Sequence, residues 1–237
     1  MIYERRAYTF RPGGMQAFWD AQPVWNTDRV FGEILKSNIG YFQLVSPDIE
    51  RIVHLYRFGT LDDWRSTYDR YYAAQNQAYF ALVRPMMLAQ ENLFLIGAPG
   101  HDALTRWADP AFKLRELIGN KSDDELSNAI LCEVELQLRP GGLPAYWQAY
   151  GELMLARDQA AGSNLVAVHQ VLVGRLHRIF RYSVFGSLDE TRDFERARPH
   201  DPVEMELKKR YKGFFESETI SLLRPAPLAR LRSCWGF

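Results

Sequence analysis

Glu4, Arg6 and Tyr8 stand two residues apart, and His54 and Tyr56 stand in the same relation. Side chains alternate along a strand, so each set shares one face. Together they are the residue types from which acid–base catalysis is built. An imidazole titrates near neutrality and can take or give a proton. Arg6 can bind a carboxylate or hold Glu4 ionised. Tyr8 or Tyr56 can donate to an oxyanion or a substrate carbonyl. On this reading His54 is the acid/base, Arg6 and Tyr8 anchor the substrate, and Tyr56 and Glu4 support them. The same groups also have a structural reading: a buried polar network, every charge paired, that locks two sheets together.

The elements that must position these residues follow from periodicity. Residues 2–10 alternate as a strand. Arg11-Pro12-Gly13-Gly14 ends it, because proline cannot donate to a ladder and glycine permits a turn. Residues 14–36 read as helix with an irregularity at Pro23, 38–46 as a strand, Pro47-Asp48 as a turn and 50–58 as a strand. Thr60 is placed to cap a helix over 61–82, and 87–96 return as a strand. The order β-α-β-β-α-β is the ferredoxin-like split βαβ unit. It sets the first and third strands side by side, so that if the two sets face the same way, Glu4, Arg6, Tyr8, His54 and Tyr56 line one patch.

The chain then repeats itself. Arg11-Pro12-Gly13-Gly14 returns 128 residues later as Arg139-Pro140-Gly141-Gly142, and Phe58-Gly59-Thr60-Leu61-Asp62 returns 127 later as Phe185-Gly186-Ser187-Leu188-Asp189. Strands are expected at 129–138, 164–173, 176–186 and 217–223, with helices at 143–161 and 188–215, the latter broken by a loop at Pro199-His200-Asp201-Pro202. A four-stranded sheet with both helices on one face leaves its other face bare, and pressing two such sheets together covers both. The expected fold is α+β: two fused ferredoxin-like domains, 1–97 and 129–225, forming an intramolecular dimeric α+β barrel. Residues 98–128 form a linker with a short helix at 112–118, and 226–237 form a tail on the surface.

Residues 1–97 resemble a NIPSNAP domain. The resemblance rests on Glu4, Arg6 and Tyr8 before Arg11-Pro12-Gly13, on Gly40-Tyr41-Phe42, on Val53-His54-Leu55-Tyr56-Arg57 leading to Leu61, and on Arg84-Pro85 and Gln90-Glu91-Asn92. The second copy is similar but degenerate: Cys132, Val134 and Leu136 stand where Glu4, Arg6 and Tyr8 stand, Arg181 replaces His54 and Ser183 replaces Tyr56. The resemblance implies membership of the dimeric α+β barrel superfamily. That superfamily includes haem proteins and cofactor-free oxygenases acting on aromatic polyketides, an analogy of fold alone.

The remaining residues narrow the function classes. Twenty-nine basic side chains balance twenty-nine acidic ones, so no net field favours nucleic acid or an anionic membrane. The two cysteines, Cys132 and Cys234, indicate no disulfide framework, and a cytoplasmic location is expected. No phosphate-cradling loop, dinucleotide fingerprint or nucleophile elbow occurs, so no nucleotide cofactor is expected. His169 and His177 flank the second hairpin and with Glu218 could hold a metal, but surface or structural histidines are the plainer reading, and His101 and His200 fall in loops. Aromatic side chains crowd the helices from Trp19 to Tyr150, as core or as the wall of a pocket for a planar apolar ligand. The functional expectation is a small-molecule enzyme of secondary metabolism performing isomerisation, cyclisation or cofactor-free oxidation on an aromatic substrate. The alternative is a non-catalytic ligand-binding or scaffold protein, including a haem binder. The internal pseudo-dimer is the expected assembly, with a further homodimer left open.

Overall fold

Each Arg-Pro-Gly-Gly turn is built from two glycines with different tasks. Gly13 and Gly141 take φ of +75° and +87°, a left-handed conformation that costs other residues strain. Gly14 and Gly142 are packed instead: a Cβ there would stand 2.9 Å from the Met86 carbonyl oxygen and 2.7 Å from Phe214 Cβ. The second repeated motif is a strand end followed by a helix cap. Thr60 accepts from the Asp63 amide in a reciprocal capping box, and Ser187 accepts from the Glu190 amide.

The computed structural model describes residues 1–25, 28–46, 50–119 and 121–236. In chain order its elements are β1 (Ile2–Phe10), α1 (Gly14–Trp25), α2 (Asp28–Leu35), β2 (Asn38–Ser46), β3 (Arg51–Phe58), α3 (Leu61–Tyr71), α4 (Gln77–Val83), β4 (Met87–Gly97), α5 (Asp123–Leu126), β5 (Ile130–Leu138), α6 (Gly142–Leu153), α7 (Leu155–Gln159), β6 (Leu165–Val173), β7 (Arg178–Phe185), α8 (Leu188–Ala197), α9 (Pro202–Tyr211) and β8 (Phe215–Pro225). The expected strands are all present. The expected helices 61–82, 143–161 and 188–215 are each divided. In the last, Arg198–His200 form a 3₁₀ turn and Asp201 caps α9, with Pro202 in its first turn where no amide hydrogen is needed. The turn expected at Pro47-Asp48 lies outside the described residues.

The eight strands close into one barrel in the order β1-β3-β2-β8-β5-β7-β6-β4. Within it, β4-β1-β3-β2 and β8-β5-β7-β6 follow the same internal order, and β2 with β8 and β4 with β6 make the antiparallel seams. Closure leaves no free edge strand.

The barrel interior is apolar, filled by Tyr3, Ala7, Val53, Leu55, Leu131, Phe180, Tyr182 and Leu223 among others. Two tryptophans from outside the strands join it. Trp107, in a 3₁₀ turn at Arg106–Ala108, lies with its ring 4.9 Å from Tyr182. Trp235 is fully buried beside Phe42. The tail therefore does not rest on the surface: the apolar side chains of Trp235 and Leu231 are worth more buried, and the Cys234 amide completes a bond to the Ile39 carbonyl. The expected helix at 112–118 is only a 3₁₀ turn, Leu114–Glu116. Both cysteines are buried and free. No described helix is long and apolar enough to cross a membrane.

Candidate active site

β1 and β3 are antiparallel neighbours with Glu4 opposite Tyr56 and Arg6 opposite His54. The five predicted side chains do converge, and all are buried. Their partners show which way they face. Tyr8 and Tyr56 pack with Phe18, Tyr68, Tyr71, Tyr79 and Phe80 from α1, α3 and α4. The set thus lies between sheet and helices, and the reading in which it locks the two sheets together is overturned. The alternate residues Tyr3, Arg5 and Ala7 face the barrel interior instead.

Glu4 is held by its neighbours. Its carboxylate accepts from Arg6 Nε at 2.7 Å, Trp64 Nε1 at 3.0 Å and Asn92 Nδ2 at 3.5 Å. Arg6 donates its Nη1 to the Tyr72 hydroxyl at 2.9 Å, and its guanidinium sits 3.9 Å over the Tyr68 ring. Burial works against the Arg6 charge, yet Tyr68, Tyr8 and Glu4 together hold it firmly protonated. Glu4 does not line the cavity and acts on it through Arg6.

His54 stacks on the Tyr41 ring at 3.5 Å, with the planes 13° apart. Its Nδ1 lies 3.3 Å from the Tyr56 hydroxyl, which in turn donates to the Tyr41 hydroxyl at 2.7 Å. Its Nε2 is buried with no hydrogen-bond partner. Burial first, then the Arg6 charge, holds the imidazole well below its ordinary 6.5, so it is neutral at neutral pH. Burial likewise keeps Tyr8, Tyr41 and Tyr56 protonated and able to donate.

These groups line a cavity of about 50 Å³ with Phe18, whose mouth is rimmed by Tyr72, Arg84 and Gln90. Sites for drug-sized ligands measure roughly 300–1,000 Å³. The cavity as it stands takes a small group, and a larger ring system enters only if the exposed rim side chains swing aside. A haem macrocycle does not fit it. The helix aromatics serve both expected roles, since Tyr71, Tyr79 and Phe80 are core and cavity wall at once.

The histidines of the second hairpin do not come together. His169 is 1% exposed, inside the barrel, its ring 4.3 Å from that of Tyr3 and tilted to it, with neither ring nitrogen partnered, while Glu218 pairs with Arg198 and Lys208 on the helix side. Among the described residues no His, Cys, Asp and Glu cluster is placed to hold a metal.

Two constellations were not foreseen. One is the Arg5–Glu133 pair inside the barrel, at 2.8 and 2.7 Å. The other surrounds Arg181 on the helix side of β7, which donates to Glu204 at 2.8 Å and Asp158 at 3.4 Å beside a cavity of about 310 Å³. Burial alone would raise Glu204, but Arg181 and Arg198 outweigh it and hold its carboxyl at about 2. A charged residue on the helix side of β7, beside buried Val134 of β5, was the available signal. Its partners come from α7 and α9, a convergence no spacing reveals.

Comparison with known proteins places this geometry. The whole chain is similar in structure to a proposed monooxygenase from Lactobacillus acidophilus, at TM-score 0.57 and 11% identity, over 96% of this chain and 95% of that one. It is similar to an anthrone oxidase-like protein at TM-score 0.57 and 9% identity, over 94% and 90% of the two chains. At these identities the likeness is one of fold. A NIPSNAP family protein from Agrobacterium tumefaciens aligns over 40% of this chain and 91% of its own, at 24% identity and TM-score 0.38. No curated protein matches the chain. The NIPSNAP family model matches residues 134–230, the half with fewer of the quoted strand residues, rather than 1–97. Over residues 134–230 the chain is similar to the NIPSNAP family.

Proposed function

We propose that the protein is a small-molecule enzyme that removes an acidic proton from an aromatic or polyketide-like substrate without a nucleotide cofactor, with His54 as the base. One observation carries the reading: His54 lines a cavity, and its buried Nε2 has no protein partner. In the tautomer this reading takes, Tyr56 donates its single proton to Tyr41, and Nδ1 carries the ring proton and donates to Tyr56. Nε2 then presents a lone pair. A histidine held well below its ordinary pKa is a weak base, so the proton it takes must itself be acidic, as at a carbon flanked by carbonyls or aryl rings. The anion formed lies near Arg6 and Tyr8, which stabilise it. The names carried by the fold neighbours, a monooxygenase and an anthrone oxidase-like protein, point to substrates of the same character. Isomerisation, cyclisation and cofactor-free oxidation all begin with this proton transfer.

The architecture supporting this site is two fused ferredoxin-like copies, 1–97 and 129–225, in a dimeric α+β barrel arrangement. The identical strand order of the two halves and the recurrence of both turn motifs support it.

Solvent-deuterium exchange at the acidic carbon of anthrone, followed by NMR, tests the function. The protein should accelerate exchange, and His54→Ala should lose about 100-fold or more of that acceleration while staying folded. Equal acceleration by both proteins removes His54 as the base, and exchange no faster than in buffer leaves the non-catalytic reading, a ligand-binding or scaffold protein, which the narrowness of the cavity favours.

A further inference from the structure

Arg181 occupies in β7 the position that His54 occupies in β3, 127 residues earlier, and it too lies between sheet and helices. The cavity beside it, about 310 Å³, is several times larger than the one beside His54 and reaches the size range of small-molecule sites. Its lining includes the guanidinium groups of Arg157, Arg181 and Arg198 and the rings of Phe185 and Phe194, whose centroids are 4.9 Å apart.

Donors and acceptors in this lining do not balance. Each carboxylate is already held by arginine. Asp158 Oδ2 accepts from the Tyr150 hydroxyl and from Arg181. Glu204 Oε1 accepts from Arg157 and Arg181. Asp201 accepts two backbone amides of α9 on one oxygen and Arg157 on the other. The guanidinium groups keep spare donors: each has five N–H groups, the buried Nε of Arg181 donates to no acceptor, and that of Arg198 lies 3.6 Å from Glu204 Oε2, beyond hydrogen-bond reach. A buried donor left without an acceptor is costly, and an incoming oxyanion removes that cost.

We propose that this cavity is a second ligand site, distinct from the one at His54, that takes a small aromatic carboxylate. Its oxygens engage spare N–H groups of Arg181 and Arg198, and its ring packs with Phe185 and Phe194. The oxyanion half of this recognition is shared by inorganic phosphate, whereas the ring contact belongs to the aromatic acid alone.

Calorimetric titration of the full chain with benzoate, and separately with inorganic phosphate, tests the assignment. Benzoate is expected to bind once per chain with a Kd below about 1 mM and tighter than phosphate. Arg198→Gln and Phe194→Ala should each weaken it about tenfold or more. Phe194 is only partly buried, so its variant keeps the test open if the arginine variant fails to fold. Three results overturn the proposal: no saturable benzoate binding up to about 10 mM, a benzoate Kd unchanged in Phe194→Ala, or phosphate binding tighter than benzoate.

Discussion

Arg5 and Glu133 face each other inside the barrel, joined by a bidentate pair of hydrogen bonds at 2.8 and 2.7 Å with both side chains almost fully buried. They are 128 residues apart, the same interval that separates the two Arg-Pro-Gly-Gly turns. In the proposed two-copy arrangement they are therefore equivalent positions meeting across the pseudo-twofold axis. A symmetric homodimer would set a residue against itself there, and two like charges would repel. Fusion into one chain lets the two copies carry opposite signs.

Breaking that pair by removing one partner should be expensive, because it strands a buried charge. Glu91, 3.6 Å from Arg5 Nη1, is a second and more distant carboxylate partner. Glu133→Ala is expected to lower stability by about 3–5 kcal/mol in urea unfolding. The exchanged double variant Arg5→Glu with Glu133→Arg should recover a large part of the loss. A Glu133→Ala midpoint indistinguishable from wild type would show the pair to be dispensable.

His169 predicts an acid-sensitive fold. Burial drives its pKa from 6.5 down to about 3. Between those values the unfolded chain binds a proton that the native state excludes, so stability falls as pH drops from 6.5 towards 3. The slope is about 1.4 kcal/mol per pH unit for one such group. Glu204, held at about 2 against an ordinary 4.5, adds a loss of the same sign below pH 4.5. His54, which burial also holds well below 6.5, adds a slope of the same sign, so unfolding free energy measured from pH 7 to 4 should show both, and His169→Phe should remove the share of His169. An unchanged slope in that variant would assign the acid sensitivity to other groups.

Tyr56→Phe separates the orientation of His54 from its chemistry. The variant removes the oxygen that faces Nδ1 and leaves the ring packing in place. The exchange activity proposed for the site should fall by roughly tenfold or more, with little change in thermal midpoint. The pH profile should shift as the tautomer preference is lost. A profile and rate identical to wild type would remove Tyr56 from the positioning role.

Gly142→Ala should destabilise without touching either cavity, since its Cβ would enter the Phe214 side chain. A loss of about 1–3 kcal/mol is expected for overpacking of this kind. Thermal unfolding checks it, and a neutral result would mean that the turn before β8 yields easily.

Trp235→Ala should cost about 3–5 kcal/mol, the range for emptying a large buried aromatic site. Chemical denaturation reads it directly. A loss under about 1 kcal/mol would return the tail to the surface role first expected of it.

Much was legible in the sequence because it depends on local rules. Period-two alternation located β1 and β3, and turn residues and the internal repeat located the other expected strands. The two glycines of each Arg-Pro-Gly-Gly turn and the capping residues Thr60 and Ser187 are demands of backbone geometry, met within a few residues. Alternation and strand order put Glu4, Arg6, Tyr8, His54 and Tyr56 on adjacent strands, but it was the register, Glu4 opposite Tyr56 and Arg6 opposite His54, that set them on one face.

What alternation cannot say is which face of a strand meets which layer, since both faces of β1 carry charged and aromatic side chains. Only closure of the barrel decided that Arg5 turns inward to Glu133 while Arg6 turns outward to the helices. Only packing showed that the His54 cavity is narrow and that Trp107 and Trp235 plug the interior from segments with no periodicity. The Arg181 cluster lay beyond the sequence for the same reason. Its partners Asp158 and Glu204 come from separate helices, and the distance between them is set by the tertiary fold rather than by their spacing in the chain.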